Sequence, residues 1–302
     1  MARPNVGNKK SSHKNLSNKS PFRTATLWLI WGWLLIFALL PNILVIAVSF
    51  LTRDSTAFIS LPVTLDSYVR MIDPLYFDVF VHSLWMAGIT TVICLLLGYP
   101  FAWFVSRVDK RWQPLLMLML ILPFWTNSLV RTYALKLLFA SNGLINKSLL
   151  AIGIIDAPID ILYTQGAVIA GLTYLLFPFM VLPLYAVFSD LRNDMLLASQ
   201  DLGASKRQTF WHVVLPLTTP GIISGVLLVL LPAMGMFYVA DILGGSRNLL
   251  VGNIIKNQFL DARDWPFGAA ASVLLTLAMA VLLLAYRASS RRIGKTDFSE
   301  VA

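Results

Sequence analysis

Residues 189–217 read SDLRNDMLLASQDLGASKRQTFWHVVLPL, a polar stretch set between two long apolar runs. Its pattern predicts a short helix over Asp194–Leu202, a turn at Gly203, and a second amphipathic helix leading to Pro216. Glycine directly after a helical run suits the position where the chain must turn left-handed, because it has no Cβ to clash there. Leu196, Leu197 and Leu202 make the first short helix apolar enough to sit in a groove on another protein. An amphipathic helix lying in the membrane interface is the alternative.

Outward from this stretch, six apolar runs are long enough to span a bilayer, which takes about 20 residues each. They cover Leu27–Leu51, Val79–Val105, Pro114–Ala140, Gln165–Phe188, Leu215–Val239 and Pro266–Tyr286. Lipid offers no partner to backbone polar groups, so each run is expected to be helical. Pro41, Pro123, Pro178, Pro183 and Pro232 lie inside these runs and are expected to kink them. The first run is too long for the core of a cleavable secretory signal and follows 23 more polar residues, so it reads as an uncleaved span. The composition agrees, with 57% hydrophobic and 13% charged residues and a mean hydropathy of +0.72. Soluble domains carry roughly 25% charged residues. The fold class predicted is therefore an all-α polytopic membrane protein with six transmembrane helices.

The net charge of +9 is not that of a nucleic-acid binder, because the basic residues fall between apolar runs and not on one folded face. Placing the N-terminus inside assigns 16 Lys and Arg and 6 acids to the internal segments, against 6 and 9 in the external loops. By the positive-inside rule both termini are expected to be cytoplasmic. Residues 1–23 form a basic tail whose Ser, Asn and Lys content predicts disorder. A single membrane domain is expected over 24–290, with the informative loop at 189–216 and a second tail at 291–302. The single cysteine, Cys94, falls inside the second run and reads as a packing residue.

No catalytic constellation is visible. The histidines His13, His82 and His212 are scattered, and neither a helix-borne zinc motif nor a nucleophile elbow is present. The Gly7–Ser11 stretch lacks the leading glycine and the strand context of a phosphate loop. The chain is expected to be no enzyme and to hold no metal or cofactor, so any ATP used in moving a solute is hydrolysed by another chain.

The 189–216 segment is similar to the EAA loop of ABC importer permeases, in which Glu-Ala-Ala is followed by Gly, an apolar residue and Leu-Pro. Ala198, Gly203, Val213, Leu215 and Pro216 fall in register with it. Leu197 stands at the usual Glu position and Ser199 at the second Ala. The family's glutamate helps dock the ATPase, and Asp201, four residues on and on the same helix face, is expected to stand in for it. The stretches DPLYFDVFVHSL (Asp73–Leu84), GYPFAWFVS (Gly98–Ser106), LPFWTNSLVRTY (Leu122–Tyr133), LLPAMGMFYVADILGG (Leu230–Gly245) and DARDWPFGAA (Asp261–Ala270) narrow the likeness. Together they resemble the PotB-type permeases of spermidine/putrescine importers, within the family of binding-protein-dependent transport system inner-membrane components. The resemblance implies a type I ABC importer permease fold in a bacterial inner membrane and an ATP-driven polyamine importer. It also implies four kinds of partner: a PotC-like second permease, a PotA-like ATPase dimer that binds ATP and Mg, a PotD-like periplasmic polyamine-binding protein, and the bilayer.

A polyammonium substrate calls for carboxylates, carbonyls and aromatic faces along its path. Asp241 is the leading candidate, three residues after Tyr238 at the external end of the fifth run, and Trp125 and Asn127 after Pro123 are further candidates. A wetted helix-end carboxylate, or a pair with Arg247, is the plain alternative for Asp241. Arg131 and Lys136 lie inside the third run, and Arg131 falls about 26 Å along a straight helix counted from Pro114. Anchoring or a subunit ion pair is expected of them, since cations along the path repel a cation. Asp264 followed by Pro266 reads as a helix-start signal, with a contact to the binding protein as the alternative. A permease of the same build for putrescine alone or for another solute remains open, as does a secondary transporter, although the two halves show no internal repeat.

Overall fold

The computed structural model describes residues 21–54 and 58–296. Most of the tail at 1–23 and residues 297–302 of the second tail lie outside it. Within the described residues the backbone is helical, apart from loops and one isolated antiparallel bridge between Thr52 and Ser60.

Contacts divide the chain after Val45. The first unit contains the greater part of α1 (Thr26–Ser49), which is apolar around its circumference. Its helix widens into a π-turn over Leu35–Leu39, just before Pro41. The Asn42 side-chain amide donates to the Ala38 carbonyl at 2.7 Å across that irregularity.

The second unit contains α2 (Asp66–Arg70), α3 (Pro74–Arg107), α4 (Gln113–Trp125), α5 (Ser128–Phe139), α6 (Leu144–Ala151), α7 (Gln165–Asp190), α8 (Asn193–Asp201), α9 (Lys206–Gly235), α10 (Val251–Leu260) and α11 (Trp265–Thr296). Its core is the packing of α3, α7 and α9, where Ala87, Cys94, Leu176, Met180, Leu184, Val229 and Ala233 are buried together. In lipid, apolar area gives no drive to bring helices together, so close backbone approach through small residues has to. Gly225 supplies it between α9 and α7, where an added Cβ would stand 2.6 Å from the Met180 Sδ. Cys94 packs here as expected, with its thiol 3.7 Å from the Thr173 carbonyl.

Three of the six expected runs differ from straight helices ending where hydropathy ends. The third run is not one helix. α4 stops at Trp125, and the helical segment over Ser128–Ala151 leaves at 92° to it. Pro123 sits in a 3₁₀ turn at the end of α4, where its missing N–H costs nothing. Arg131 therefore lies on the turned limb, and the position counted along a straight helix is corrected accordingly. The fifth run begins nine residues earlier than expected, at Lys206, so the predicted second amphipathic helix and the span are one rod. That rod ends at Gly235, short of Val239, and the chain continues through Phe237–Val239 and a π-turn over Ala240–Gly244. The sixth helix runs on to Thr296, past the expected end at Tyr286. By contrast, α7 continues through Pro178 and Pro183.

Asp264 is 1% exposed and performs the capping role its sequence position implies: Oδ1 accepts from the Phe267 N–H at 3.2 Å. Its other oxygen accepts from Arg70 at 2.9 Å, with Arg53 at 3.9 Å, so the start of α11 is clamped to α2. Burial pulls the Arg70 guanidinium down, and the hydrogen bond and charge of Asp264 more than offset it, leaving Arg70 above its ordinary value. The structural reading of Asp264 thus holds. We expect Asp264→Ala to lose the cap and strand Arg70, costing about 2–4 kcal/mol. Asp264→Asn, which keeps the cap acceptor, costs less, and thermal unfolding of the detergent-purified chain orders the two.

Candidate functional site

The 189–216 loop folds as its sequence indicates. α8 begins beside an Arg192–Asp194 ion pair at 2.9 Å and ends at Asp201. Gly203 then takes φ +84°, a conformation closed to side chains with a Cβ without strain. The start of α9 carries a capping box, in which Ser205 and Gln208 satisfy one another's backbone N–H groups. Ser199 Oγ and Thr209 Oγ1, 2.9 Å apart, lock the two helices. Tyr99 and Thr218 at 3.0 Å join α3 to α9 near this end, and Tyr185 donates to Gln113 at 3.1 Å, joining α7 to α4. The loop is therefore rigidly mounted.

Of the three leucines expected to make this helix apolar enough for a groove, Leu196 turns inward and packs on the core. Leu197 and Leu202 remain outward, at 58% and 88% exposed, on the same surface as Ala198 and Asp201. Pro216 is exposed in the first turns after the π-turn Phe210–Val214. The outward surface thus carries the apolar side chains of Met195, Leu197 and Leu202 and the carboxylates of Asp194 and Asp201 on a stiff base, which suits docking into a groove.

Asp241 sits in the Ala240–Gly244 π-turn, just beyond the break at Gly235–Met236. It is not a free helix-end carboxylate. Lys256 of α10 donates to its Oδ2 at 2.9 Å, and the Asn253 amide donates to its Oδ1. Asn253, fully buried, also donates to the Phe237 carbonyl at 3.1 Å and accepts from the Leu250 N–H at 2.9 Å. The ion pair itself is about a third exposed, at 34% for Asp241 and 28% for Lys256. The partner is Lys256, fifteen residues on. Tyr238 lies half-buried against the core formed by Met86, Leu172 and Leu243, with its ring perpendicular to Phe237. It and Asp241 lie in one helical stretch, α-helical at Phe237–Val239 and π-helical at Ala240–Gly244, which changes the angle between their side chains.

Trp125 and Asn127 flank the α4–α5 break. Trp125 is 78% exposed, and the Asn127 side chain caps α5 by accepting from the Leu129 N–H at 2.8 Å. Their neighbours Pro123 and Phe124 instead line a cavity of about 980 Å3 between α3, α4, α5 and α7, into which Arg131 projects. Asp241, Tyr238, Trp125 and Asn127 are thus placed at two separate breaks and are not brought together. Sequence reasoning missed Asn253 and Lys256, which share the helix with two more polar residues, Asn257 and Gln258, so nothing in its sequence singles the pair out.

The family model described as "Binding-protein-dependent transport system inner membrane component" matches residues 94–295. The chain belongs to this family. It is therefore a multi-pass protein of the inner membrane. It is 53% identical over 94% of its length to the whole of the spermidine/putrescine transport system permease protein PotB of Salmonella typhimurium strain SL1344. Against the protein of the same name from Escherichia coli K12 it is 55% identical, covering 88% of this chain and 97% of that one. The Haemophilus influenzae protein of that name is 52% identical, over 93% and 98%. Among solved structures, a chain of a bacterial alginate ABC transporter in complex with an alginate pentasaccharide-bound periplasmic protein shares the fold, with a TM-score of 0.73 at 18% identity over 90% of this chain and 94% of that one. The importer-permease architecture, all-α with no strand among the described residues, agrees with the expected fold class.

The hydrogen-bond pattern around Asp241 yields a clear ranking of variants. Asn253→Leu strands the Phe237 carbonyl, the Leu250 N–H and one Asp241 oxygen, and we expect about 2–4 kcal/mol of lost stability. Asp241→Asn, in a pair open to solvent, costs under about 1 kcal/mol. Apparent melting temperatures in detergent check the order, and an equal fall for both removes the ranking.

Proposed function

We propose that this chain is the membrane-spanning permease subunit of an ATP-driven polyamine importer handling spermidine and putrescine. Substrate arrives from a periplasmic binding protein, a second permease completes the pathway, and a separate ATPase dimer binds and hydrolyses ATP with Mg. The observation that carries this reading is the 53% identity, over 94% of the chain, to a protein named as a spermidine/putrescine permease. The charge distribution supports it: both termini and the 189–216 loop face the cytoplasm, and the external loops, richer in acid, face an arriving polycation.

In this reading the α8 surface docks on the ATPase. Leu197 and Leu202 fill an apolar groove, while Asp201 supplies the charge that the family's motif places at position 197. Ala198, Gly203 and Pro216 set the shape of that contact. Asp241 meets substrate by exchange: a substrate ammonium takes the place of the Lys256 ammonium, and the carboxylate is never left bare. Tyr238, Trp125 and Asn127 offer aromatic and amide contacts at the two breaks, each ammonium–ring contact contributing roughly 0.5–2 kcal/mol.

Uptake of labelled spermidine and putrescine in competition, in a strain lacking this chain and in the same strain complemented, tests the substrate. Restoration of both is expected; restoration of neither rejects the polyamine reading, and putrescine alone narrows it. Asp201→Asn is expected to leave the assembled complex hydrolysing ATP while uptake falls about tenfold. Simultaneous measurement of phosphate release and uptake in proteoliposomes decides it, and wild-type uptake by the variant removes the role of Asp201.

A further inference from the structure

Among the described residues, three buried side-chain polar atoms have no hydrogen-bond partner: Arg131 Nε, Arg131 Nη1 and Thr173 Oγ1. All three belong to the same cavity, which Phe101, Phe124, Tyr174 and Phe177 also line. Phe124 and Tyr174 hold the guanidinium over their rings at 4.5 and 5.9 Å, while its Nε and Nη1 go unmet. A charge in this setting is costly unless something answers it. An unanswered guanidinium, with a hydroxyl lining the same cavity, calls for an anionic oxygen acceptor.

Depth separates the two sources of such an anion. α4 has 13 residues and so rises about 20 Å from the 106–113 loop, against a hydrocarbon core of about 30 Å. Arg131 follows on a limb turned by 92°, which climbs little further. On α7, Tyr174 lies nine residues, or about 14 Å, inside the opposite end. The guanidinium is therefore inside the hydrocarbon layer, below the level of lipid phosphates. The cavity is also much larger than one carboxylate, and its remaining wall is apolar, part aliphatic and part aromatic, as suits the apolar face of a helix.

We propose that this cavity is the socket for an acidic side chain on a membrane helix of the second permease subunit, which pairs with Arg131 and joins the two chains. The proposal rests on the reading of this chain as one of two unlike permeases. A tagged wild-type chain, expressed with its full complex and purified in detergent, is compared with Arg131→Lys, Arg131→Gln and Arg131→Glu for the amount of second permease retained. Arg131→Glu is expected to retain about thirtyfold less, and Arg131→Lys to fall between it and wild type. Replacing the acids within the second permease's membrane helices by arginine, one at a time, is expected to restore assembly with Arg131→Glu at a single position. That rescue also shows that the variant folds.

Full retention of the second permease by Arg131→Glu overturns the proposal, as does the absence of any rescuing position. Retention of the second permease by Arg131→Gln with loss of bound phosphatidylglycerol, counted by native mass spectrometry, assigns the socket to lipid and overturns it equally. If the wild-type chain itself retains no second permease, it is the reading as a permease subunit that fails.

Discussion

The backbone hydrogen bond is the constraint on which the rest of this structure depends. In hydrocarbon no water can satisfy an amide N–H or carbonyl, so every departure from helix has to be patched from within the protein. The patches here are short polar side chains. Asn42 serves the Ala38 carbonyl beside the π-turn of α1, and the Thr126 hydroxyl reaches the Pro123 carbonyl at 2.7 Å at the α4–α5 break, where Asn127 caps the next helix. Beyond α9, Asn253 serves Phe237, and Asn248 donates to the Gly244 carbonyl at 2.9 Å. The breaks and the asparagines come as pairs.

The same constraint locates the chemistry. A continuous apolar helix has no site for a charge, whereas a patched break already has polar groups and a widened backbone. Asp241 is held six residues beyond the end of α9, and its Oδ1 accepts from the same Asn253 amide that repairs that break. Arg131 follows the α4–α5 break by a few residues and faces the space that the 92° turn opens. Charge placement in this fold is thus a consequence of where helices stop.

That logic also explains what could be read without coordinates. Apolar runs near 20 residues mark spans because lipid thickness sets the length, and five of them are helices of that kind. Gly203 and Asp264 were legible because a left-handed turn and an N-cap restrict residue choice locally. The direction taken after Pro123 was not legible, since a proline announces an interruption without saying where the chain goes next, and the depth of Arg131 was misjudged for that reason. The Asp241–Lys256 pair bridges fifteen residues and two helical segments, a distance over which periodicity carries no information.

The rod α9 connects these observations mechanically. It begins in the capping box of the 189–216 loop and runs 30 residues to Gly235, a length of about 45 Å. One end is fastened to α8 through Ser199 and Thr209, and the other abuts the segment carrying Asp241. A long helix resists bending, so a displacement of the loop has to appear at the far end unless something yields between. The points that can yield along it are the π-turn at Phe210–Val214, close to the loop, and the prolines Pro220 and Pro232, and Tyr99 and Thr218 tie the rod to α3 just past the π-turn. Beyond the tie the rod is packed on α3 and α7 through Gly225, Val229 and Ala233. Any coupling between α8 and the Gly235–Met236 break therefore has to pass through this packed interface, and the Asp241–Lys256 pair beyond it is only about a third exposed.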